Sequence, residues 1–252
     1  MIFYYTATGN SLYVAKQLSE NPLSIPQLMK QDELVFEDET IGIVCPVYTG
    51  EMPKLVEEFL KKATFKTEYF FWVATYGKDD TVYAEYANEK CRENGIDLAF
   101  TASVLMVDNF LPAFNIDEEL KIDKQEDAQI ENIKADIAAR RRWLKAANEQ
   151  ERHLYNMVRG MQKAHPEMIS PKSFVVNDDC IGCGICTKVC PRGNIRIENG
   201  KPSYGETCDF CLGCVNACPQ KAIKLARENN ANARYLKSGI TLAEVIKSNN
   251  QQ

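Results

Sequence analysis

Eight cysteines in two identically spaced runs constrain this chain more than any other feature. The first run is Cys180-x2-Cys183-x2-Cys186-x3-Cys190-Pro191 and the second is Cys208-x2-Cys211-x2-Cys214-x3-Cys218-Pro219. Thiolates three residues apart on a tight turn converge on one centre, while the fourth follows a short helical turn that carries it toward a neighbouring centre. The chain holds ten cysteines, and only Cys45 and Cys91 stand outside this window, so the crowding reads as metal ligation and not as a scattered disulfide scaffold. Zinc sites pair two CxxC knuckles and would leave a third cysteine of each run unused. Two [4Fe-4S] clusters use all eight thiolates.

With both runs matching without gaps, residues 172–228 resemble a bacterial two-cluster ferredoxin. The resemblance implies crossed ligation, one cluster on Cys180, Cys183, Cys186 and Cys218 and the other on Cys208, Cys211, Cys214 and Cys190, and low-potential one-electron carriage. The flanks repeat as well: Val176 and Tyr204 each lie four residues before their first cysteine, and Ile195 and Ile197 answer Ile223 and Leu225. A duplicated half-module with a shared core is expected. Gly182, Gly184 and Gly213 are expected to let backbone N–H groups approach sulfide, where hydrogen bonds and solvent exposure set the potential.

The first 110 residues read differently. Short apolar runs at Ile2–Tyr5, Ile41–Cys45, Tyr69–Thr75 and Phe100–Val107 alternate with amphipathic stretches starting near Asn10, Pro53 and Thr81, the pattern of a parallel sheet covered by helices. A fifth strand is expected near Leu34–Phe36 or around Ile25. From Asp117 to His165, charged residues with Ile130, Ile133, Ile137 and Leu144 at helical spacing predict one or two helices packed on the sheet. Pro166 and Pro171 mark a boundary. The expected units are an α/β domain over 1–168, a small α+β two-cluster domain over 169–228, and a tail over 229–252 in which Ile240–Ile246 forms a short docking helix or frays.

Thr6-Ala7-Thr8-Gly9-Asn10-Ser11 follows the first strand and opens the first helix. Its hydroxyls, the N–H groups freed at Gly9 and the positive helix end suit a phosphate dianion without any Lys or Arg. This loop resembles the phosphate loop of flavodoxins, which implies a flavodoxin-like doubly wound sheet and FMN at the switch between its first and third strands. By that resemblance Tyr48, Thr49 and Gly50 would meet the flavin ring, Tyr76 and Gly77 would form a third wall, and Asn109 would contribute from the next strand end. The half departs from long-carrier flavodoxins in lacking a Trp in either ring loop and in continuing past Phe114. Cys45 and Cys91 read as small buried side chains.

The chain as a whole resembles a known type of flavodoxin-ferredoxin fusion, the ferrodoxins. That implies an electron relay between two [4Fe-4S] clusters and FMN, fed by a redox partner protein or another low-potential donor. Two alternatives stay open: a ferredoxin whose first half only docks partners, and an iron-sulfur redox sensor. There is no GxGxxG or Walker motif, so no nicotinamide or nucleotide site is expected. The two histidines, His153 and His165, lie away from the motifs. Arg140-Arg141-Arg142 sits among acidic residues and reads as a solvated helix face, not a nucleic-acid patch. Residues 172–252 carry eleven basic and seven acidic side chains while the rest carries nineteen and twenty-eight, which yields the net charge of -5 and favours docking of the two parts. Without an apolar stretch long enough to span a bilayer, the expectation is a cytoplasmic protein.

Overall fold

The computed structural model describes residues 1–252. The first half runs β1 (Ile2–Tyr4), α1 (Asn10–Leu18), β2 (Leu23–Ser24), α2 (Ile25–Leu28), β3 (Val35–Glu37), β4 (Thr40–Pro46), α3 (Lys54–Lys62), β5 (Thr64–Lys66), β6 (Tyr69–Tyr76), α4 (Tyr83–Glu93) and β7 (Leu98–Leu105). β4 and β6 are continuous apolar runs because both of their faces are covered, as parallel strands between helix layers must be. Five parallel strands form one sheet in the order β2-β1-β4-β6-β7. Counting only these strands the order is 2-1-3-4-5, so the winding reverses between the first and third. Gly42 of β4 lies opposite Phe71 of β6, and a β-carbon there would stand 2.2 Å from the Phe71 ring.

The fifth strand is the two-residue β2 beside Ile25. The other candidate, around Leu34–Phe36, belongs to a separate two-stranded pair of β3 with β5. Phe36 and Phe65 project from that pair onto Phe3 and Phe59, with ring centroids 4.6–5.9 Å apart. This aromatic cluster packs under α3 and α4 on one face of the sheet, around Phe59, Trp72, Tyr83 and Cys91.

The charged stretch that follows forms α5 (Ile116–Glu119), α6 (Glu126–Ala138) and α7 (Glu149–Ala164). α6 packs on the opposite sheet face through buried Ile130 and Ile133. α7 does not, and none of its residues is buried. The expectation that this whole stretch lies on the sheet therefore holds only for its first long helix. Between them the chain runs beside β7, with Trp143 exchanging bonds of 2.9 and 3.0 Å with Ala99 and Thr101. Arg140, Arg141 and Arg142 pair with Glu39, Glu68, Asp136 and Asp97 at the surface.

The cysteine-rich half contains β8 (Phe174–Val176), α8 (Ile185–Lys188), β9 (Ile195–Glu198), β10 (Lys201–Tyr204), α9 (Gly213–Asn216) and β11 (Ile223–Leu225). The strand before each cysteine run pairs antiparallel with the strand after the other run: Val176 faces Ile223, and Tyr204 faces Ile195. The duplication thus closes on itself. Its core of Val189, Ile195, Leu212, Val215 and Ile223 is continuous with the α1 and α6 face of the sheet.

The tail completes that core. Tyr235, Ile240 and Val245 are buried, the last on α10 (Leu242–Asn249), which starts in a capping box of Thr241 and Glu244. Asn249 is fully buried and its Nδ2 donates to the carbonyls of Thr6 and Val189 at 2.8 and 3.3 Å, joining the two halves. Arg192 adds a forked pair to Glu58 at 2.6 and 3.0 Å. No helix is long and apolar enough to cross a membrane.

Candidate redox site

The two cysteine runs fold alike. Each third cysteine sits on a one-turn helix, Cys186 on α8 and Cys214 on α9, and each turn is entered through left-handed backbone at Gly184 or Leu212. A small cavity is lined jointly by Cys180, Cys183, Cys186 and Cys218. Cys211, Cys190, Cys208 and Cys186 all act on the buried Cys214 thiol, each raising it further. Thiols of both runs thus come near one another at each place. Backbone N–H groups approach these sulfurs at equivalent places: Asn194 donates to Cys190 Sγ at 3.3 Å and Ala222 to Cys218 Sγ at 3.2 Å, while Phe210 reaches Cys208 Sγ at 3.3 Å. Gly213 N–H bonds the Cys211 sulfur, as expected, and the residue has a second task. A β-carbon there would press to 3.3 Å on the Ala7 carbonyl, so its smallness lets the second run seat against the first loop.

Burial pushes the Cys186 and Cys208 thiols up to about 11, with neighbouring thiols adding to the shift at both. Cys211 and Cys214 are raised further by the same burial. Without a metal these thiols stay protonated; ligation to a cationic centre would take the place of their protons.

A second cavity, of about 720 Å³, opens at the carboxyl ends of β1, β4, β6 and β7. Thr6, Thr8, Asn10, Ser11, Tyr48, Thr49, Gly50, Tyr76, Gly77 and Asn109 all line it, and so do Cys208 and Cys211 of the second run. Gly9 stands behind the others with φ near +100°, packed against Lys237 and Ile240 of the tail. Lys237 N–H also donates to the Thr8 carbonyl at 2.9 Å. Around the first loop, Thr6 Oγ1 accepts from Gly9 N–H at 3.1 Å, Thr8 Oγ1 accepts from Asn109 Nδ2 at 2.6 Å, and Ser11 Oγ meets Thr75 Oγ1 at 2.8 Å. Thr6 and Thr8 accept in these bonds, so each keeps its own hydroxyl proton to donate. The Ser11 and Leu12 N–H groups at the start of α1 have no acceptor within the protein.

Residues 179–223 match the 4Fe-4S dicluster domain. Over 47 residues the chain is 49% identical to one subunit of an ion-translocating oxidoreductase complex of Methanosarcina acetivorans, covering 18% of each protein. It is 46% identical over 55 residues to a polyferredoxin protein of Methanothermus fervidus, covering 20% of this chain and 13% of that one. A ferredoxin of Pyrobaculum islandicum is 36% identical over 74 residues, which are 28% of this chain and 69% of that ferredoxin. The chain belongs to the 4Fe-4S dicluster ferredoxins. This ferredoxin spans under a fifth of the length of the first two relatives. Its residues 179–223 form the iron-sulfur domain.

Some of the site escapes a reading of this ferredoxin's sequence. Tyr5, the residue after β1, is fully buried, and its hydroxyl donates to Asp209 Oδ2 at 3.3 Å, between Cys208 and Cys211. Its ring meets Tyr48 edge-on with centroids 6.5 Å apart. Asp209 Oδ1 is buried without a hydrogen-bond donor, and Arg192 Nε lies 3.8 Å away. The intervening positions of a cysteine run carry no sequence signal for such a contact. Cys45 lies apart, its thiol pushed up to about 12 by burial and 2.9 Å from the Tyr83 hydroxyl, and Cys91 is likewise buried.

Proposed function

We propose that the chain is an internal electron relay, in which clusters held by Cys180, Cys183, Cys186, Cys218 and by Cys208, Cys211, Cys214, Cys190 exchange electrons with FMN. The observation that carries this reading is that a single cavity of about 720 Å³ is bordered both by the four strand-end loops and by Cys208 and Cys211. Its volume is in the range of small-molecule sites. The 2-1-3-4-5 order is the flavodoxin-like one, with the ligand expected at the reversal point. Residues 1–168 then act as the flavin-binding domain and 169–228 as the cluster domain.

The chain's own groups suit the cofactor. Thr6 and Thr8 keep hydroxyl protons to donate, the Ser11 and Leu12 N–H groups lack acceptors, and Gly9 allows the left-handed entry to α1. Gly50 and Thr49 both have positive φ, which turns that loop toward the cavity. Bound FMN would supply conversion between one-electron and two-electron transfer. Cys183 is exposed and Ile181 shows 66% of its surface, so the first cluster offers the contact for a redox partner protein. Reduced thiols feeding two clusters suit a cytoplasmic setting.

The test is anaerobic reconstitution with iron, sulfide and FMN, followed by desalting, metal and flavin analysis and a spectrum. Bound flavin alongside both clusters is expected, and Thr8→Ala should weaken FMN binding by about 1 kcal/mol, roughly fivefold. Full iron and sulfide with no retained flavin would sink the relay and leave the first half as a platform for partners.

A further inference from the structure

The large cavity has a roof that the flavin loops do not require. α7 turns Leu154, Tyr155, Val158, Arg159 and Gln162 toward it, the spacing of one helix face. A helix of this kind is ordinarily held by burial of its apolar stripe, yet no residue of α7 is buried. Its polar side chains fasten it instead. Tyr155 Oη donates to Glu51 Oε1 at 2.7 Å, Arg159 Nε pairs with the same oxygen at 3.0 Å, and Gln162 Nε2 donates to Thr49 Oγ1 at 2.8 Å. These bonds neutralise Arg159 and leave Leu154 and Val158 half-buried on the wall of a cavity that Phe114 and Ile169 also line. The roof also presses on the ring loop, because a β-carbon at Gly50 would lie 2.8 Å from the Tyr155 ring.

We infer that the space beneath α7 is a second ligand site, for a small, planar, uncharged organic electron acceptor of the quinone class, so that the chain is a reductase and not only a carrier. This rests on the flavin reading above. Lys54, Lys78 and Arg227 also line the cavity, but directly beneath α7 the polar groups are already engaged and the free surface is aliphatic. An unpaired charge seated against this helix would be desolvated without compensation, so an uncharged occupant is favoured there. A planar one follows from its place between a helix face and the peptide loop proposed to carry a flavin ring. The roof also screens that loop from a docking protein, while a small molecule needs only an opening.

Reduction of a quinone to a hydroquinone adds two electrons to the ring system and one proton to each carbonyl oxygen. A low-potential one-electron donor, oxidised twice per turnover, supplies the electrons through the clusters, and water supplies the protons. Asp108, at the cavity wall beyond β7, is placed to pass one of them on; its Oδ1 accepts from Phe110 N–H at 2.9 Å. Burial pushes its carboxyl up to about 6, with Glu119, Lys124 and Asp79 as the surrounding charges.

The test uses the full chain carrying clusters and FMN, oxidised and free of oxygen, with flavin retention measured first. Menadione and its sulfonated analogue are then titrated while flavin absorption and fluorescence are followed without turnover. Menadione should give a saturable change, and the sulfonate should bind at least about tenfold more weakly. Val158→Asp should keep iron and FMN while weakening menadione by at least about tenfold. Asp108→Asn should bind menadione normally and lose the step near pH 6 in the rate of its reduction. A flavin-loaded chain indifferent to menadione, or one that binds the sulfonate equally well, overturns the inference and leaves the relay standing. Loss of FMN in Val158→Asp also overturns it, since α7 would then cover the flavin itself. A chain that retains no FMN at the first step fails the flavin reading, and the second site falls with it.

Discussion

The two cysteine runs share every spacing and differ in their surroundings. In the first, Cys183 is exposed and Gly182 and Gly184 supply left-handed backbone at φ +65° and +73°. At the same places in the second run stand Phe210 and Leu212, also left-handed at +50° and +57°. A side-chain-bearing residue costs about 1 kcal/mol or more in that region. The burial explains why it is tolerated: Leu212 is 2% exposed, and Phe210 stacks on Phe174 at 5.5 Å and meets Phe110 of the first half at 6.3 Å. One run is built to be reached from outside, the other to be walled in. Duplication therefore supplied two equivalent metal-binding frames, and contact with the rest of the chain made them unequal.

The largest effects are expected at Cys190 and Cys218, the fourth ligands of the proposed crossed pairing. Cys190→Ala should cost the inner cluster although it lies in the first run, and Cys218→Ala should cost the outer one, each removing about half of the iron and acid-labile sulfide if both clusters have the bacterial four-cysteine pattern. Spectra of the remaining cluster identify which was lost. Selective loss of the cluster of the mutated run itself would show that ligation is not crossed. In the unaltered protein, ferricyanide should bleach the exposed outer cluster before the inner one; simultaneous bleaching would erase the contrast between them.

The cysteine arrays, the long parallel strands and the loops that end them were legible because each depends on local chemistry: thiol spacing, unbroken apolar runs, and Gly or Asn at helix entries. β2 was ambiguous because Leu23–Ser24 is too short to show a period. α7 was misplaced because an amphipathic face looks the same whether it covers a sheet or a cavity. Phe210 and Leu212 were invisible as left-handed positions because neither is a residue type that favours them. For the Asn-rich tail a short docking helix and a frayed end both stayed open; α10 is the docking helix, and what decides it is Asn249, held by Val189 and Thr6, 60 and 243 residues away along the chain. Contacts of that kind have no local signature.

That tail is part of the wall around the inner run, since Asn249 bridges the carbonyl of Thr6, at the start of the first loop, to that of Val189, one residue before Cys190. Asn249→Ala deletes both bonds and leaves two carbonyls short of a donor, a loss of about 1–3 kcal/mol. Its Oδ1 is itself buried without a partner, which places the expected value toward the lower end. Anaerobic urea unfolding at unchanged slope would measure this, and the inner cluster should become more oxidant-sensitive than in the unaltered chain. An unchanged midpoint would mean that the tail lies on the wall without supporting it.

The smallest expected effect tests how the tail is held from outside. Lys16 of α1 meets Glu244 of α10 at 2.7 Å, and that bond, with the capping bonds of Thr241, pulls the Glu244 carboxyl down to about 2. A carboxylate whose value is lower in the folded chain than in the unfolded one stabilises the fold above the unfolded value, and that contribution fades as pH falls toward the folded one. The window therefore runs from about 4.5 down to about 2. Both side chains keep a third or more of their surface in solvent, 44% and 34%, so screening reduces the pair to ~0.5 kcal/mol. Lys16→Ala should lower stability by that small amount at pH 7 and low salt, and the difference should shrink as salt is added. The salt series leaves the acid-sensitive clusters intact. A loss well above 1 kcal/mol, or one indifferent to salt, would show that Lys16 supports the tail through packing of its aliphatic stem and not through its charge.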